Sequence, residues 1–134
     1  MTDRETARDI VNEAMQTRSA LTDLDHAFQE EIDEIVLTAA RERRPLSDDD
    51  ESRQDALLAD QVKVLDALKA LAFVTLARLD ESADVADLKN KLDSVKDELE
   101  DDLKRLKNIA RYAAIAAKVA DGLTKLAVKV ASAM

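Results

Sequence analysis

The side chains best suited to chemistry lie close together in the N-terminal third. His26, Glu30 and Glu34 recur every four residues, and Asp23 stands three before the histidine. On a helix these four share one face, and imidazole with carboxylates is a donor set for a divalent metal. Helical bundles that hold two such ions draw Glu-x-x-His from each of two helices, whereas this chain has one histidine. His26 also lies off the apolar stripe through Leu24 and Phe28. A solvated polar face is the expectation, with no metal bound. Asp48, Asp49, Asp50 and Glu51 raise the question of calcium. A calcium loop needs alternating acids and a glycine for its tight turn, and both are missing. The four acids read instead as complements of a helix N-terminus.

Covalent catalysis fares no better. The chain has no cysteine, so thiolate chemistry and disulfides are closed to it, and His26 has no hydroxyl or acid at a motif spacing. A phosphate loop cannot be assembled from a single glycine, Gly122. Acid–base work by carboxylates on separate helices is the one arrangement that spacing leaves open. The chain is therefore expected not to be an enzyme and to carry no cofactor.

Charge speaks to partners. The net charge is −9, with −12 on residues 1–108 and +3 on residues 109–134. An acidic body disfavours nucleic acid, whose phosphates need clustered cations. The small basic cluster Lys104, Arg105, Lys107 and Arg111 follows a run of acids from Asp97 to Asp102. Internal pairs such as Glu100 with Lys104 account for it, and Tyr112 alone stands beside it for base stacking. In the tail, Arg111, Lys118 and Lys125 recur every seven residues, with Lys129 beyond them. The surface between is rich in alanine: Ala113, Ala116, Ala117 and Ala120. Two uses fit this pattern. Small residues let helices approach closely, which makes the alanines a partner-binding seam. Alternatively, a cationic amphipathic helix lies on anionic lipid through Arg111, Lys118, Lys125 and Lys129. The tail lacks Trp and Phe anchors, which favours the seam.

The elements that must position these groups are helices. Among 134 residues there are one glycine, one proline and three aromatic residues. Sheets need many turns, and turns need glycine and proline, so the chain is predicted to be all-α. Thr2 to Glu5 has the form of a capping box. From there Ala7, Val11, Ala14, Leu21, Leu24, Phe28, Ile32, Ile35 and Ala39 form a helical stripe. Arg41, Arg43 and Arg44 suit the negative helix end, and Pro45 stops it. Ser47 caps a second helix. Its apolar positions are Leu58, Val62, Leu65, Leu68, Ala72, Thr75 and Leu79, flanked by Leu57, Val64, Leu71, Phe73 and Leu76. So wide a face implies two neighbours. Asp80, Glu81 and Ser82 make a short connection, with Ser82 and Asp84 as the next cap.

The remaining chain counts in sevens from Val85 through Leu92, Leu99, Leu106, Ala113, Ala120 and Ala127 to Met134. The partner series is Leu88, Val95, Asp102, Ile109, Ala116, Leu123 and Val130. Sustained heptads imply knobs-into-holes packing. Asp102 is the polar exception and a candidate for fixing register; the alternative is a slight rotation that buries Leu103. Gly122 reads as a stop or kink.

The expected fold is one domain, 1–134. It is a long antiparallel up-down-up three-helix bundle with coiled-coil-like packing. Its helices run about 3–44, 48–79 and 83–121, and a helical tail 123–133 is kinked at Gly122. Four helices result if the first breaks near Thr22 or the tail folds back after Gly122. The expected function is a non-catalytic interaction module of adaptor, chaperone or toxin-neutralising type. It binds a protein partner, basic in keeping with the acidic body, or itself. The contacts named for it are Phe73, Leu76, Ala113, Ala116, Ala117 and Ala120. With no signal-peptide pattern, the cytoplasm is the expected compartment, and secretion without a cleavable signal stays open. A membrane-surface protein acting through residues 109–134 is the alternative.

Overall fold

The computed structural model describes residues 3–79 and 85–132, with side chains placed over 8–73, at 75 and over 86–132. Among these residues every regular element is helical: α1 Asp3–Arg41, α2 Asp48–Leu79, α3 Val85–Lys107 and α4 Ala110–Ser132. The all-α bundle is as expected, but it has four helices where three were predicted. The two proposed break points are both intact. α1 runs through Thr22, and α4 runs through Gly122 without stopping. The chain turns at Asn108 and Ile109, where the amides of both residues bond three residues back, to the carbonyls of Arg105 and Leu106. The Ile109 carbonyl then accepts from Tyr112 and Ala113 and opens α4. The capping boxes expected at Thr2 and at Ser82–Asp84, the start at 83 and Met134 lie outside the described residues.

α1 ends at Arg41, three residues before the expected 44. The Arg44 amide bonds to the Ala39 carbonyl and the Arg43 amide to Ala40, with Arg43 at φ 53°. This is a Schellman closure built without glycine. Ser47 then caps α2 reciprocally: the Asp50 amide donates to Ser47 Oγ at 3.1 Å, and the Ser47 amide to Asp50 Oδ2 at 3.2 Å. Arg44 spans the turn to Asp50 Oδ2 at 2.8 Å and holds that carboxyl below its usual range. One hairpin is thereby locked at both of its helix ends.

Cross-helix pairs fix the directions. Glu13 meets Lys129 and Glu31 meets Arg111, so α4 runs antiparallel to α1. Glu31 also meets Arg53 at 2.8 Å, and Gln61 Nε2 donates to Gln29 Oε1 at 3.0 Å, which sets α2 antiparallel to α1. Lys63 with Asp102 and Asp60 with Arg105 align α2 against α3. The section is a square in which α1–α2, α2–α3, α3–α4 and α1–α4 adjoin, and the diagonals stay apart. Because Glu31 is level with the second residue of α4, about ten residues of α1 (roughly 15 Å) project past the α3–α4 turn. There Ile32, Ile35 and Ala39 remain buried, packed in the hairpin with α2.

Across the turn at Asn108 one expected series, Ala116, Leu123 and Val130, keeps its phase, and the other shifts back by one residue. Leu88, Leu92, Val95, Leu99, Leu103 and Leu106 are buried in α3; in α4 the buried set is Tyr112, Ala116, Val119, Leu123, Leu126 and Val130. Ala113, Ala120 and Ala127 of the expected series give way to Tyr112, Val119 and Leu126. The Tyr112 ring tilts against Phe28 with centroids 6.3 Å apart, a favourable aromatic geometry.

Gly122 is not a helix stop but a contact point. Thr17, 1% exposed, lies over it, and its hydroxyl donates to the Glu13 carbonyl at 2.9 Å. A Cβ on Gly122 would overlap Thr17 Oγ1 and stand 3.1 Å from Thr17 Cβ and Cγ2. No rotamer of Thr17 relieves all three. Gly122→Ala should therefore lose about 1–2 kcal/mol of unfolding free energy, because overpacking outweighs the roughly 1 kcal/mol gained in helix propensity. Adding Thr17→Ala should recover most of that loss. Urea titration of the single and double variants measures both, and a stabilised Gly122→Ala would contradict the contact.

Candidate functional site

α2 is apolar on two opposite sides, and the bundle uses one. Asp60, Val64, Ala67 and Leu71 are buried, with Leu57, Leu68 and Ala70 packed beside them. This inverts the expected order, since Val64 and Leu71 were placed as flanks of the face. The residues expected at its centre point outward instead: Leu58 is 47% exposed, Val62 57% and Leu65 49%. Their spacing of four and three continues through exposed Lys69 and Ala72. Both stripes have helical period, so period alone could not rank them. Cross-helix polar pairs rank them, because Gln61 faces Gln29 and Lys63 faces Asp102 only when the Val64 side turns inward.

Phe73 borders the outer stripe at 44% exposure, with the Lys91 ammonium 4.5 Å from its ring centroid. A shallow depression between α2 and α3 lies beside it, lined by Asp66, Lys69, Phe73, Lys91 and Glu98 among others. The side chain of Leu76, named with Phe73 from sequence, lies outside those described. Sequence reasoning singled out Phe73 but treated Leu58, Val62 and Leu65 as core. Their outward position follows from which side of α2 the neighbouring helices cover.

The tail residues are divided. Ala116 is fully buried, Ala113 and Ala120 are half-buried, and Ala117 is exposed. As a group they do not form one open seam; the inner members serve the bundle. The cations of α4 are mostly engaged. Arg111 reaches Glu31 at 3.0 Å and Glu30 at 3.5 Å, Lys125 reaches Asp121 at 2.9 Å, and Lys129 reaches Glu13 at 3.4 Å. Lys118 borders a groove between α1 and α4, together with Asp23, Thr17 and Gly122.

Asp102 belongs to a charged quartet across the α2–α3 seam. Lys63 Nζ stands 3.0 Å from Asp102 Oδ2, and Arg105 bonds Asp60. Leu103 takes the core position beside it. Each helix supplies one acid and one base three residues apart, so the antiparallel pairing is reciprocal. The Asp60 side chain is 8% exposed. Burial and the neighbouring Asp102 carboxylate push its carboxyl above the usual 3.8, and Arg105 offsets them in part.

His26, Asp23, Glu30 and Glu34 are all exposed. Among the described residues no group of three or more histidines and carboxylates is placed to hold a metal ion, and no helix is long and apolar enough to cross a membrane. At the start of α2, Asp50 is committed to Arg44 and Ser47.

The Asp60 shift has a consequence for stability. The folded chain favours the protonated carboxyl, so this group's contribution is most favourable below the unfolded value of 3.8. It declines as pH rises through the raised folded value. Asp60→Asn removes that decline, so the variant should gain on the parent chain from about pH 4 toward neutrality. Parallel pH profiles from chemical denaturation would contradict the assignment. Comparison of the chain with protein-family models, with curated proteins and with solved structures finds no match.

Proposed function

We propose that the chain is a non-catalytic, cytoplasmic helix-mediated interaction module that binds a protein chain through the outer face of α2. The observation that carries this reading is the row Leu58, Val62 and Leu65, half-exposed and turned away from a core already closed by Val64, Ala67 and Leu71. A contiguous apolar strip left in water is a liability unless something covers it. Among the described residues no other helix covers it. An adaptor, chaperone or toxin-neutralising role is compatible with such a surface, and the acidic body would speed capture of a basic partner.

The lipid alternative asks more of the molecule. To bring its apolar side to a membrane, α4 would have to expose Val119, Leu123, Leu126 and Val130, all 1% exposed or less. It would also have to release Arg111 and Lys129 from α1 carboxylates.

Replacing Leu58, Val62 and Leu65 together by glutamine separates binding from folding. Unfolding free energy should stay within about 1 kcal/mol of the parent chain, because these side chains lie outside the core. Proteins retained from an extract of the source cells by the immobilised parent chain should fall roughly tenfold in yield on the variant. An identical set retained at equal yield by both would overturn the reading.

A further inference from the structure

The outer strip of α2 has a pattern of its own. Leu58, Val62, Leu65, Lys69 and Ala72 follow in steps of four, three, four and three, which is the spacing of a coiled-coil seam. Lys69 is its one charged member, and Asp66 borders it on the α3 side. Both are exposed, and neither forms an ion pair within the described residues. Building on the interaction reading above, we infer that the occupant of this face is a second copy of the chain, packed antiparallel about a dyad beside residue 67.

Charge decides the direction. In a parallel pair each Lys69 would face the other, and like charges in a seam are penalised. In the antiparallel pair residue numbers across the seam add to about 134, so Lys69 of one copy falls beside Leu65 and Asp66 of the other. The dyad repeats that contact. Val62 then faces Ala72, and Phe73 lies alongside, at both ends. The strip is thus self-complementary in charge as well as in apolar character. A seam one helix wide belongs with interfaces below roughly 1,200 Å², so the dissociation constant should be on the order of 10 μM.

Sedimentation equilibrium from about 5 to about 500 μM at ~0.15 M salt tests this on the full chain. The mass should rise from 14.8 kDa toward twice that value. Asp66→Lys and Lys69→Asp should each weaken association roughly tenfold or more, and the two together should restore it. Because the chain has no cysteine, Val62→Cys and Ala72→Cys report the register directly. Mixed and oxidised, the two variants should cross-link to each other. Neither should cross-link to itself, since like positions lie about 15 Å apart along the axis.

A strict monomer throughout the range overturns the dimer. So does a Val62→Cys chain that cross-links to itself, or association indifferent to both charge reversals. If the chain is monomeric but the glutamine variant still loses a captured protein, the dimer fails and the interaction module stands. If it is monomeric and nothing is lost, both fail.

Discussion

A square of four helices buries one side of each, and α2 carries two apolar sides. That mismatch organises the molecule. Val64, Ala67 and Leu71 close the core with α1 and α3, so Leu58, Val62 and Leu65 face away from the other described helices. Both sides carry leucine: Leu71 is buried in the core, and Leu58 and Leu65 face outward. The core thereby draws on one side of the element, and substitutions on the other side need not disturb it.

Polar contacts choose among packings that apolar burial alone leaves close in energy. The quartet of Asp60, Lys63, Asp102 and Arg105 sets which side of α2 meets α3. Glu31 ties three helices together by accepting from Arg53 and Arg111 and, at 3.3 Å, from the Tyr112 hydroxyl. Such pairs add little net stability when solvent reaches them. Their larger effect is on alternatives, since rotating α2 by half a turn would leave Arg105 without Asp60 and Asp102 without Lys63. The cationic row on α4 belongs to the same scheme: three of its four members are spent on carboxylates of α1 and α4.

Much of this was legible in the residues, and the gaps have physical causes. Pro45, Ser47 and the acids after it mark the first hairpin because each acts through local geometry alone. The stripe of α1 was clear from Ala14 onward, but Ile10 takes the core position expected of Val11, and Thr17 joins the core as a polar residue whose hydroxyl bonds the Glu13 carbonyl. The turn at Asn108 and Ile109 was invisible. It uses neither glycine nor proline, and counting in sevens continues across it without a gap. Gly122 carried the opposite ambiguity: glycine ends helices and also admits a neighbouring helix, and only the position of Thr17 separates the two. Leu58 and Val64 could not be ranked from spacing, because the choice between them is made by Gln29 and Asp102 on other helices.

The two sides of α2 can be compared through single cysteines introduced into a chain that has none. Val62→Cys should react with a small thiol reagent at nearly the rate of an unfolded peptide, at protein concentrations well below any association. Val64→Cys, at a position 0% exposed, should be slower by at least about a hundredfold, as expected when reaction requires opening of the fold. Equal rates at the two positions, or a protected cysteine at 62 beside a reactive one at 64, would contradict the orientation of α2 on which the account rests.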